Sequence, residues 1–116
     1  MELHGIVIKE SINAEARKKL NIAGEKKSRD WTLLKISLPQ ERLAETEKII
    51  QEGLKPGKFY AHLYGSGRLI VVFREKVFHI LADKSTWKPA VEYGIKTGIP
   101  RRQLDFKPCK FEDETY

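Results

Sequence analysis

The sequence predicts an α+β domain: an antiparallel or mixed sheet of about five strands with two main helices packed on one face, partly ferredoxin-like. Three observations carry this expectation. Strand-like and helix-like periodicities take turns through the first half of the chain. Three strand-like runs then follow one another through tight turns, with no helical crossover between them. Two longer helical stripes each end in an unambiguous stop. Strands joined by short turns pair antiparallel, and amphipathic helices need a sheet face to cover their apolar stripe.

The elements read as follows. Residues 3–9 are short, apolar and β-branched, the pattern of a first strand. Asn13 can cap a helix of about two turns that ends near Leu20. Residues 24–30 carry no apolar side chain and read as an exposed, mobile loop. Residues 31–38 alternate, with Thr32, Leu34, Ile36 and Leu38 on one face and Trp31, Leu33, Lys35 and Ser37 on the other. Pro39 suits a helix start, where its missing N–H costs nothing. Leu43, Ile49, Ile50 and Leu54 then recur at helical spacing until Lys55-Pro56-Gly57 stops the helix.

Phe59, Ala61 and Leu63 alternate with Tyr60, His62 and Tyr64, and Gly65-Ser66-Gly67 turns the chain into the apolar run 68–73. This is a hairpin signature. Arg74-Glu75-Lys76 makes a second turn, and residues 77–81 form a further strand. The last helix carries the stripe Trp87, Ala90, Val91, Gly94 and Ile95, and Pro89 fits only its first turn. Gly98 stands where a left-handed C-cap belongs, Ile99 can close the cap's apolar contact, and Pro100 forbids continuation. Residues 100–106 can begin another turn. Residues 1–108 therefore read as one domain, and 109–116 as a frayed acidic C-terminal tail.

Composition narrows the function classes. The chain has 116 residues, 22 Lys plus Arg against 16 Asp plus Glu, and a net charge of +6. No apolar run approaches the roughly 18 residues that cross a bilayer. The start lacks the basic and apolar regions of a secretory signal, and Cys109 has no partner cysteine, so a cytoplasmic protein is expected. Abundant Lys and Glu with only Asn13 and Asn21 follow the composition of thermostable proteins. The basic balance invites nucleic acid, because Lys and Arg release counterions from phosphate backbones. The clusters are Arg17-Lys18-Lys19, Lys26-Lys27 with Arg29, and Arg101-Arg102. Acidic residues are interspersed among them along the chain, as on ordinary solvated surfaces.

Trp31-Thr-Leu, Val71-Val-Phe, Ser85-Thr-Trp, Tyr93-Gly, Gly98-Ile-Pro and Gln103-Leu-Asp-Phe106 resemble the pattern of a family of small prokaryotic proteins of uncharacterised activity. The likeness covers most of the chain after Trp31. It implies no activity, cofactor or site residue.

Catalytic and metal chemistry find no foothold in the spacing. His4, His62, His79 and Cys109 form none of the metal-binding motifs, although His62 and His79 could meet on neighbouring strands with matching faces. Ser66 precedes a strand, whereas a nucleophile elbow needs a helix there, and the same objection removes Gly65-x-Gly67 as a phosphate cradle. Cys109 sits beside Lys110 but in the expected tail. Asp30, Asp83 and Asp105 are scattered. No catalytic residue, metal site or cofactor is expected.

What remains is a face. Tyr60, His62 and Tyr64 share one side of a strand, with Trp31 and Lys35 able to join them. If helices cover only the opposite side, these groups can bury against a second copy or a protein partner. The first expectation is thus a non-catalytic interaction module that self-associates or binds a protein through this face. The alternative is a nucleic-acid-binding domain that stacks bases on the same aromatics and takes phosphates with Lys26, Lys27, Arg29, Arg101 and Arg102. A small-ligand sensor or an enzyme is the third.

Overall fold

In the computed structural model, which describes residues 2–106, every strand pair is antiparallel and the six strands form one sheet. The strands are β1 (Glu2–Ile8), β2 (Ile22–Ser28), β3 (Trp31–Pro39), β4 (Tyr60–Gly65), β5 (Arg68–Phe73) and β6 (Val77–Leu81), in the spatial order β2-β3-β1-β4-β5-β6. The helices are α1 (Ala14–Lys19), α2 (Leu43–Gly53) and α3 (Lys88–Lys96). The α+β class stands, with six strands where about five were expected. Cys109 and the acidic tail lie outside the described residues. Among the described residues, no helix is long and apolar enough to cross a membrane.

Local chemistry accounts for the helix ends. The Asn13 side-chain oxygen accepts the Ala16 N–H at 2.9 Å, satisfying one of the open donors of α1. At the other end of the chain, Gly98 takes φ 98°, the Ile99 N–H returns to the Gly94 carbonyl at 2.9 Å, and Ile99 is buried. That is the C-cap which Gly98-Ile99-Pro100 announces.

Two findings overturn expectations. Residues 24–30 are not a mobile loop. Most of them belong to β2, an edge strand that pairs with β3 through Lys26↔Leu33, Lys27↔Thr32 and Ser28↔Trp31. Nearly every residue of β2 is exposed, so neither face needs apolar side chains, and the alternation that reveals a strand is missing.

The two main helices also do not share a face. Successive residues of β5 point to opposite sides of the sheet. Ile70 and Val72 pack with Leu43 and Ile50 of α2. Leu69, Val71 and Phe73 pack with Ala90 of α3 and with Trp87, Ile99, Leu104 and Phe106 around it. A fully buried Leu, Ile, Val or Phe among them stabilises by about 1.5–3 kcal/mol relative to exposure. The continuous apolar run of β5 therefore reflects cover on both sides. The ferredoxin-like part of the expectation, which placed both helices on one face, is not met.

Candidate functional site

The register decides what became of the aromatic row. Ile6 of β1 lies opposite both Lys35 and His62, and His4 lies opposite Ser37 and Tyr64. Directly opposed residues share a face. Lys35 and His62 are therefore on one side of the sheet, the side on which α3 packs further along. Tyr60 and Tyr64 do not form a surface there. Tyr64 is buried beside the rings of His4 and His62. Tyr60 packs against Phe73 and Phe106, and its hydroxyl donates to the Gln103 carbonyl. Burial, with Asp105 nearby, pushes the Tyr60 phenol above its usual range. His62 is half-buried, and desolvation pushes its imidazole down to about 4.

His62 and His79 cannot meet. Their strands are separated by β5, and His79 opposes Ile70 on the α2 face, where its Nε2 lies 2.6 Å from the Glu47 carboxylate. Among the described residues, no group of three or more His, Cys, Asp or Glu is placed to hold a metal.

Four of the expected side chains that remain presented to solvent, Lys26, Lys27, Arg29 and Trp31, lie on the β2–β3 hairpin. Lys26 opposes Leu33, and Lys27 opposes Thr32 one residue on, so the two lysines project to opposite sides of the hairpin. Arg29 forms the connection at φ 52°, a left-handed conformation that holds it at the tip. Trp31, the first residue of β3, is 40% exposed. Its ring and that of Phe59 are perpendicular, centroids 5.6 Å apart and planes at 90°. A large exposed aromatic thus packs against Phe59 on the hairpin face that also carries Lys26.

Two contacts fix the hairpin to the sheet. The Glu10 carboxylate accepts the Thr32 N–H and the Thr32 hydroxyl, both at 2.8 Å. These bonds, with Lys27 adding to them, hold the Glu10 carboxyl below the usual range. Lys9 reaches Glu25 of β2 at 3.4 Å. Two carboxylates around the hairpin are therefore engaged, Glu10 by Thr32 and Glu25 by Lys9, and Asp30 lies exposed in the turn beside Arg29.

Arg101 and Arg102 are exposed on the 3-10 turn Arg101–Gln103, whose Gln103 carbonyl takes the Tyr60 hydroxyl bond. β3 and β4 both run antiparallel to β1, so they start at the same end of the sheet. The structure accordingly places Arg101 and Arg102 at the end that carries Trp31 and Arg29. It does not bring them into contact with the hairpin.

An open depression of about 510 Å³ between Lys84, Trp87, Lys88, Arg101 and Asp105 is the place to consider a small ligand. Two of its polar groups have partners: the Trp87 indole N–H donates to the Leu81 carbonyl at 2.9 Å, and Lys88 lies 3.8 Å from Glu92. Sequence reasoning missed Glu10 and Phe59 as the groups that hold the hairpin. No local signal marks either, because both act across the fold.

No family model, no curated protein and no solved structure matches this chain. The reading of the site therefore rests on its own residues.

Proposed function

We propose that the protein is a cytoplasmic binding module that engages nucleic acid through the β2–β3 hairpin. One observation carries the reading: an exposed Trp31 shares a face of the β2–β3 hairpin with Lys26, Lys27 projects from the opposite face and Arg29 lies in the turn, while Glu10 clamps Thr32 beside that turn. Such a ribbon can lay cations along a phosphate backbone on both of its sides, and each neutralised phosphate releases counterions. Arg101 and Arg102, at the same end of the sheet, extend the cationic track toward the start of β4.

The test is titration with single-stranded and duplex oligonucleotides across a range of salt. Three contacts should make log K fall with log salt with a slope of about 2–3, at roughly 0.7–0.9 per contact. Replacing Lys26, Lys27 and Arg29 by Glu should abolish the binding. Affinity weaker than about millimolar at low salt, or a triple variant that binds as wild type, overturns the proposal.

Self-association is the second reading, and its support is the outer edge of β2. Among the described residues β2 pairs with β3 alone, leaving a row of backbone donors and acceptors that a second copy can match. Sedimentation and melting across a hundredfold range of protein concentration test it. A monomer with concentration-independent melting refutes it.

A further inference from the structure

We infer that the ligand of the hairpin is single-stranded, and that Trp31 stacks on an unpaired base. This rests on the nucleic-acid reading above and adds the form of the strand. A duplex presents its phosphates and the edges of its bases, but its base faces are already stacked on one another. An indole offers a flat π-surface, and only an unpaired base has a face free to meet it.

The hairpin supplies both halves of such a contact. Ser28 opposes Trp31, so Lys26 is the diagonal cross-strand neighbour of Trp31, roughly 7–8 Å away at the Cα level. A cation at that distance suits the backbone next to a base held on the indole. Arg29, two residues before Trp31, adds a further cation in the turn, where its backbone is left-handed.

The indole is also held in position before any ligand arrives. Phe59 stands perpendicular to it, and Thr32, the next residue, is clamped by Glu10 through both its backbone N–H and its hydroxyl. Stacking on a ring that is already ordered loses little side-chain entropy. A loosely held surface tryptophan would offer the same area at greater cost.

The experiment compares three probes with the full chain at fixed low salt. They are a single-stranded 12-mer of deoxythymidine, a 12-base-pair duplex, and the same single strand carrying abasic sites. The single strand should bind at least tenfold more tightly than the duplex, and the abasic strand should fall toward the duplex. Trp31→Ala should lose about tenfold or more on the single strand while its salt slope stays unchanged. Trp31→Phe should recover part of the loss, which separates stacking from a folding defect. Lys26→Ala should instead lower the slope by about 0.7 and preserve the effect of the abasic sites. Equal affinity for single strand and duplex, or Trp31→Ala binding as wild type, overturns the stacking inference and leaves the phosphate reading standing. Absence of binding to all three probes overturns both.

Discussion

The hydroxyl of Tyr60 donates to the backbone carbonyl of Gln103, tying the start of β4 to the turn that follows α3. The ring beneath it is packed between Phe73 and Phe106. The two parts of the side chain can be separated by substitution. Tyr60→Phe keeps the ring and leaves the carbonyl without this donor, at a cost of about 1 kcal/mol. Tyr60→Ala also removes a half-buried ring and should cost about 2–4 kcal/mol, less than truncating a fully buried aromatic. Urea denaturation of both variants measures the difference. A Tyr60→Ala cost below about 0.5 kcal/mol would mean that this ring contributes nothing to the second core layer.

His62 makes stability depend on pH. Its folded imidazole is pushed down to about 4 by burial, while an unfolded one titrates near 6.5. Between those values the unfolded chain binds a proton that the folded chain refuses, so stability falls as pH drops through the window. Above about 6.5 both forms are neutral and the effect vanishes. The loss across the window reaches up to about 3 kcal/mol. Chemical denaturation at half-unit pH steps should show the decline in the wild type and a flatter profile in His62→Asn. An NMR titration placing His62 near 6.5 would contradict it.

Gly53, the last residue of α2, is a point of close approach. A Cβ added there would run into the Ala16 Cβ of α1 and crowd the Ile12 side chain. The same contact is held by backbone bonds, from the Asn13 N–H to the Gly53 carbonyl at 3.0 Å and from the Lys55 N–H to the Ser11 carbonyl at 2.8 Å. Alanine gains up to about 1 kcal/mol over glycine in a helix interior, and less at its end. Overpacking costs about 1–3 kcal/mol. Crowding wins, and Gly53→Ala should destabilise by about 1–2 kcal/mol. Thermal melts of Gly53→Ala, Ala16→Gly and the double variant form the cycle that checks this. The double variant should lose less than the sum of the two single changes.

The elements that sequence reasoning located correctly are those whose signal is local. Asn13 and Gly98 mark helix ends through their own side chain or backbone, and the alternation of residues 31–38 follows from one buried face. β2 was not legible because it buries neither face, so Glu25, Lys26 and Lys27 look the same in an edge strand as in a loop. The placement of α3 opposite α2 was partly legible: Leu69 through Phe73 are apolar at every position, which demands cover on both sides. Which helix supplies which cover depends on the path of the chain, and periodicity does not encode that. The same gap explains the candidate site. Alternation puts Tyr60 and Tyr64 on one face, but says nothing of Phe106 arriving over Tyr60 from a distant part of the chain.

Glu10 supports the hairpin without belonging to it. Its carboxylate takes two bonds from Thr32, and those bonds favour the ionised form and hold its carboxyl below the usual range. A depressed folded pKa contributes stability above the unfolded glutamate value of about 4.5, and the contribution disappears as pH falls through the folded value. Glu10→Ala should therefore remove part of the acid-side decline in stability. It should also speed exchange of the Thr32 amide relative to those of Leu34 and Ile36, which lie deeper in β3. If Trp31 is a prearranged platform, the same variant should weaken binding of the deoxythymidine 12-mer while leaving its salt slope intact, because Glu10 positions the indole and neutralises no phosphate. Hydrogen exchange and the titration together decide the matter. Unchanged protection of Thr32 would show that Glu10 does not hold the strand. Faster exchange with unchanged affinity would show that a fixed indole is not needed.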